Sequence, residues 1–463
     1  MNRFLKFFLL VIFSATFILG PTSEGECLED LSGKPDQHIS GSMDYSKAVG
    51  QLLQYSPFLT NTSLEVRVRG LDESDSRYAF IPGVTFRTRF YPHQPTESDS
   101  NDPYSLEFAV DSYNPIEVYV TLQARKIITR IAVLAHLQAI SDALQRLGIG
   151  YLELEKMENL ETLQKEWIEL AKESILFHRN RIATGGSSSL DLQLAEQELE
   201  VGNAELEKMA VARATVLDGV KHLIGLQPGQ MPDLSLQNVH EQVIDGFDPD
   251  RASLDEAKAR SVDLKIQHLK VDLQKRNVTV AYARFMPNLL FGLTTTDPLS
   301  AQHDRGLFFS VGFELPLWDG LKRFHNISRQ KTILQQYNTE NSLKETDLES
   351  KWKAAQEKLR SAKVQLKLAR SQEKLVSLRE RQVRIGYDAG REDLATVLAE
   401  QRKHIEARKS ILTNQLEYEK AVLALRNLSG HLLNSYVSPG SDEKANDDSI
   451  PAGQGNPEEN SAL

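Results

Sequence analysis

Cysteine is almost missing: Cys27 is the only one in 463 residues. A lone cysteine closes no internal disulfide and cannot build a multi-cysteine metal site. The residues before it, Glu24-Gly25-Glu26, are not the small apolar set that precedes a lipid-modified bacterial cysteine. Catalytic and cofactor signatures are missing too, with no G-x-G-x-x-G behind a strand, no phosphate loop, no H-E-x-x-H and no G-x-S-x-G. The 11 histidines are scattered without i, i+4 partners, and no methionine-rich stretch offers soft ligands. His178, His268 and His404 read as helix-surface residues. The expectation is therefore no enzyme, no cofactor and no metal. Basic excess is absent as well: the net charge is −10, which disfavours a nucleic-acid partner.

One hydrophobic run exists, Phe7 to Leu19, preceded by Arg3 and Lys6. It is too short for a permanent transmembrane helix and reads as a secretory signal peptide, about residues 1–22, with cleavage between Gly20 and Gly25. No later stretch approaches 18 apolar residues, so no transmembrane helix is expected. A β-barrel remains open, because alternating strands leave little hydropathy signal. At the other end, residues 438–463 are rich in Pro, Gly, Asp and Glu and read as a disordered acidic tail.

The intervening chain is written twice, at an offset near 205 residues. Ser56-Pro57-Phe58-Leu59 answers to Ser261-Val262-Asp263-Leu264, and Phe80-Ile81-Pro82 to Phe285-Met286-Pro287. Leu106, Phe108 and Val110 answer to Leu307, Phe309 and Val311. Gly186-(x)3-Leu190 pairs with Gly390-(x)3-Leu394 at an offset of 204. The repeats are expected at 43–240 and 251–431.

Each repeat predicts the same succession. A helix (58–80 and 264–286) runs to a proline, which removes a donor and disfavours helical geometry just before it. Two strands follow, joined by polar loops at Tyr91–Asp102 and Asp297–Gly306. Period-two alternation puts Val84, Phe86, Thr88 and Phe90 on one face, as it does Leu289, Phe291 and Leu293, and also Phe309, Val311, Phe313 and Leu315. The opposite face carries Arg87, Arg89, Glu107, Asp111 and Glu314. Four such strands cannot close a barrel alone, and a barrel shared by several identical subunits would account for the oily face. Very long helices come next, about Glu117–Phe177 and Trp318–Tyr387, the second on the order of 100 Å. Val364, Leu368, Leu375, Leu378 and Ile385 form a heptad seam along it. Returning helices, 190–224 and 394–430, are shorter, and stacking each end to end with a helix of the first kind would nearly match the long rods. Trp318 reads as an anchor at the strand-to-helix junction, and Gly186 and Gly390 as turn residues.

These motifs, with Glu314-Leu315-Pro316-Leu317-Trp318-Asp319-Gly320 and Tyr387-Asp388-Ala389-Gly390-Arg391-Glu392-Asp393-Leu394, give a chain that resembles the TolC family of outer-membrane efflux proteins from about residue 43 to 431. The resemblance implies a mostly α fold with a membrane β-barrel part: two repeats of a strand pair plus a long coiled-coil hairpin, assembled as a trimeric α/β-barrel tunnel. It implies a homotrimer in outer-membrane lipid, with a periplasmic adaptor and an inner-membrane transporter as partners. Gly185, Gly186, Leu190, Tyr387, Gly390, Glu392, Asp393 and Leu394 would then lie at the periplasmic tip where the adaptor docks. Arg87, Arg89, Glu107, Asp111 and Glu314 would line the barrel lumen. Two features depart from the family pattern. Thr396 and Ala399 stand where some members carry aperture aspartates, and the first turn, Ala183-Thr184-Gly185-Gly186, lacks the tyrosine of the second. The competing class is a periplasmic coiled-coil adaptor or scaffold with no barrel; the duplicated hairpins and amphipathic strand pairs argue against it.

Overall fold

The computed structural model describes residues 43–90, 104–186, 188–226, 234–244, 246–296, 307–315 and 318–434. The signal segment, Cys27, both polar strand loops, Pro316, Leu317 and the acidic tail lie outside the described residues. The chain divides into two units. In one, residues 1–43 with 228–234, Met43 and Leu234 form a parallel bridge. The other, residues 44–227 with 235–463, holds every helix and strand named below.

Its elements run α1 (Tyr45–Tyr55), α2 (Pro57–Tyr78), β1 (Thr85–Phe90), β2 (Tyr104–Tyr113), α3 (Pro115–Ala183) and α4 (Ser189–Leu223). Then come α5 (Val239–Ile244), α6 (Leu254–Arg260), α7 (Val262–Ala283), β3 (Asn288–Thr296), β4 (Leu307–Glu314), α8 (Lys322–Asp388), α9 (Leu394–Leu428) and α10 (His431–Asn434). The two copies match element for element: α2 and α7 each have 22 residues, α4 and α9 each have 35, and α3 and α8 have 69 and 67.

Local chemistry sets the ends. Asn114 accepts from the amides of Ile116 and Glu117 to start α3, Ser188 and Asp191 form a capping box on α4, and Asp393 accepts from Thr396 N to start α9. Before the prolines, α2 and α7 stop at Tyr78 and Ala283, a little earlier than expected. Their last amides close tighter i→i−3 bonds instead, Phe80 N to Arg77 O and Phe285 N to Tyr282 O. Helix α8 also starts later than expected, at Lys322. Gly320 and Leu321 both take positive φ (68° and 66°) and turn the chain away from β4, leaving Trp318 ahead of the helix and 79% exposed.

Packing arranges the helices as four adjacent rods. Helix α3 packs against α2 and α4 on one side and against α7 and α9 on the other, and α8 packs against α7 and α9. Two of the rods are composite. A Cβ built on Gly225, just past α4, would lie 2.3 Å from the Tyr55 carbonyl and 3.4 Å from Pro57 Cδ, so α4 ends where α2 begins. A Cβ on Gly430 would lie 2.9 Å from Arg260 Cβ, so α9 ends where α7 begins. The antiparallel sheet runs in the order β1-β2-β3-β4, the same order as the rods that continue into it. A core lies where α1 and α5 pack on the middle of α3, around Tyr45, Leu52, Leu144, Leu147 and Tyr151, all fully buried. A second cluster joins Ala257 of α6 to Trp352 and Leu425.

The heptad seam of α8 is not an internal seam. Val364, Leu368, Leu375, Leu378 and Ile385 are all more than half exposed, whereas Ala362, Leu366 and Ala369 make the buried stripe. A helix at the end of a row of rods is flanked by one rod of its own chain, here α7 with α9, so among the described residues one of its apolar stripes is left uncovered. One window of α3 is, by length and composition alone, long and apolar enough to cross a membrane, contrary to the expectation from the sequence.

Candidate functional site

The strand register sorts the two faces. Phe86 pairs with Phe108, Phe108 with Leu293 and Leu293 with Phe309, so one apolar row crosses the whole sheet. Val110, Phe291 and Val311 make a second row, and Leu289 with Phe313 continues it. The Phe86 and Phe108 rings lie 5.1 Å apart. Phe309 is 70% exposed and Phe313 73%, so this face is oily and uncovered. A contiguous uncovered surface of this kind marks a membrane or partner contact.

The other face carries Thr85, Ala109, Gly292 and Ser310 in one row and Arg87, Glu107, Thr294 and Phe308 in the next. Arg87 stands directly opposite Glu107, a favourable cross-strand charge pairing. Glu314 pairs with Asn288 at the end nearer the helices. Arg89 pairs with Ser105, but its side chain and that of Asp111 lie outside the described residues. Asp111 falls within a register shift between Val110 and Tyr113, where Ser112 has φ 52°. Phe308, 60% exposed among these polar groups, breaks the alternation.

At the far end of the rods the two turns superpose at an offset of 205, not 204. Gly185 (φ 76°) corresponds to Gly390 (φ 70°), Thr184 to Ala389 as helix cap, and Ser188 to Asp393 as N-cap. The bonds Gly186 N to Arg181 O and Arg391 N to Gly386 O, both 2.8 Å, close the same C-terminal motif. Gly186 is thus the counterpart of Arg391 and carries no positive φ. Leu190 and Tyr387 are exposed, 61% and 42%, as are Gly185, Gly186, Gly390, Glu392 and Asp393, while Leu394 is half-buried.

Less legible beforehand was a run of polar links between the hairpins. From the turns upward along α9, Arg181 reaches Asp393 (3.1 Å), and Arg402 reaches Glu198 as well as Ser174 (3.2 Å). Arg408 then meets Glu166 at 2.8 Å, buried Lys409 meets Gln164 at 2.6 Å, and Lys420 meets Glu153 at 2.7 Å. Arg402 also stacks over the Trp167 ring at 6.0 Å. Hydrogen bonds from Thr396, with a smaller contribution from Arg181, hold the Asp393 carboxyl below the usual carboxylate range. The Thr396 hydroxyl is itself committed to Asp393, at 2.7 Å. Among the described residues no group of three or more His, Cys, Asp or Glu is placed to hold a metal ion.

A sheet of four strands continuing into four helical rods is the architecture of outer-membrane channels, and solved structures of that class share it. The chain aligns with CusC at a TM-score of 0.73 and 15% identity, over 84% of this chain and 93% of that one. It aligns with the CmeC outer membrane channel of Campylobacter jejuni at 0.68 and 15%, covering 83% and 85%. VceC of Vibrio cholerae aligns at 0.69 and 12%, covering 83% and 96%. No curated protein matches by sequence. Residues 253–431, the second repeat, match the family model described as outer membrane efflux protein. Over residues 253–431 the chain is thus similar to the outer membrane efflux protein family, and its fold as a whole is that of the solved outer-membrane channels.

Proposed function

We propose that this chain is the outer-membrane channel and exit duct of a tripartite efflux or type I secretion system, a passive conduit driven by an inner-membrane transporter through a periplasmic adaptor. The observation that carries this reading is the apolar row Phe86, Phe108, Leu293 and Phe309, unbroken across four strands and backed by a polar face. Such a sheet suits lipid on one side and water on the other. Among the described residues its outer strands, β1 and β4, each have one unpaired edge, which three copies would close into a twelve-stranded barrel. The helices lend the same support: α8 bares Leu375 and Leu378 at one end of the row, and α4 bares Leu190, Leu194 and Val201 at the other.

In that assembly Arg87, Arg89, Glu107, Asp111 and Glu314 face the lumen and bias passage by charge, which filters solutes without transforming them. The turns at Gly185, Gly186 and Leu190, and at Tyr387, Gly390, Glu392, Asp393 and Leu394, form the tip that meets the adaptor. Planar-bilayer recording on the purified protein tests the reading. Stepwise ion conductance supports it, and a protein that stays water-soluble and leaves bilayers sealed refutes it.

A further inference from the structure

The two composite rods are joined at equivalent positions by different chemistry. In the first joint Gly225 (φ 78°) abuts Tyr55 and is followed by buried Leu226; in the second, 205 residues on, Gly430 (φ 73°) abuts Arg260 and is followed by His431. Arg260 Nη1 lies 2.9 Å from His431 Nε2. A guanidinium only donates, so Nε2 must offer its lone pair and the ring is neutral. Its proton then sits on Nδ1, 3.0 Å from Ser429 Oγ, and the fully buried Ser429 hydroxyl donates onward to the Arg426 carbonyl at 2.9 Å.

Among the described residues, charged groups reach this ring from α6 and α9. From α6 come Arg260 and Glu256, whose carboxylate lies 3.5 Å from His431 Nε2 and 2.8 Å from Arg260 Nη2; from α9 comes Arg426. Phe247 covers the ring with centroids 5.5 Å apart. Burial first, then Arg260, lowers the histidine pKa from its ordinary value, against the opposing pull of Glu256.

We propose that the joint between α9 and α7 is acid-sensitive: a proton on His431 Nε2 removes the acceptor Arg260 uses, sets two cations together and loosens this rod, while the Leu226 joint stays closed. Since protonation of the folded joint is disfavoured, its stabilisation is complete above the ordinary histidine pKa and declines as pH falls through and below it. The joint lies wholly within one chain and responds to acid whether or not a barrel closes.

Hydrogen–deuterium exchange on the full-length protein, corrected for intrinsic rates, tests it at pH 7.5 and pH 5. Segments 254–262 and 424–434 should lose protection on the order of tenfold at the lower pH, while 53–58 and 220–226 hold theirs. His431→Leu, which copies the first joint, should abolish the difference. Arg260→Tyr, which copies Tyr55 and leaves the histidine, should shrink it, and covers the case in which the leucine variant folds poorly. Equal loss at both joints, no loss at either, or an undiminished response in whichever of these variants folds would overturn the proposal.

Discussion

Arg181, in the last turn of α3, places its guanidinium 3.1 Å from the carboxylate of Asp393, the residue that caps α9. One side chain thus ties the first hairpin to the start of the second return helix. Both partners are close to half exposed, so the ion pair itself contributes about 0–1 kcal/mol, whereas the cap is worth about 1 kcal/mol. Asp393→Ala should therefore destabilise the α9 start by about 1 kcal/mol, and Arg181→Ala by less. The Asp393 pKa is depressed, so its contribution is present above the ordinary aspartate pKa, about 4, and disappears as pH falls through the lower folded value. Thermal unfolding of both variants between pH 3 and pH 7 checks the order and the sign.

The corrected register of the turns separates two glycines that look alike in sequence. Gly185 has φ 76° and Gly186 does not, although a Cβ at Gly186 would sit 3.3 Å from Nε of the long Arg181 side chain. Gly185→Val should cost more than Gly186→Val, by roughly 1–2 kcal/mol. Local protection of residues 178–192 by hydrogen exchange reads the difference. If the turns dock the adaptor, Gly390→Val should leave trimer abundance normal while efflux falls. Efflux and trimer abundance measured in the same cells decide this, and normal efflux removes the turn from the mechanism.

Much of this architecture was legible because it depends on local periodicities. Period two sorted Phe309 from Ser310, and the pairing Leu293 to Phe309 puts the apolar sets of neighbouring strands in one row. The end-to-end rods were legible from helix lengths, and Gly225 against Tyr55 shows the joint. What stayed hidden depends on which faces meet. A heptad seam such as Leu375 and Leu378 records that a helix packs, but not whether its partner belongs to the same chain. The links of Arg402, Arg408 and Lys409 looked like an ordinary charged helix face, since their partners lie more than 200 residues away. The glycine pairing slipped by one because the Gly-(x)3-Leu spacing, unlike the cap geometry, is shared by the wrong alignment.

The uncovered α8 stripe yields a separate test. Leu375→Lys combined with Leu378→Lys replaces apolar side chains that touch little within one chain. Far-ultraviolet circular dichroism of the variant should match the native protein, while its trimer content drops several-fold. Loss of helical signal alongside the trimer would mean that the stripe packs internally.

In the proposed assembly one chain supplies a third of a wall and a third of a barrel. Native mass measurement on protein extracted from the outer-membrane fraction tests it most directly, run on the wild type, Phe309→Arg and Ser310→Arg. A species of three mature chains is expected for the wild type and for Ser310→Arg. That species should be markedly depleted for Phe309→Arg, since an arginine facing lipid near the midplane costs about 2–4 kcal/mol per site. A wild-type monomer recovered from the soluble periplasm, or equal loss from both substitutions, would contradict it.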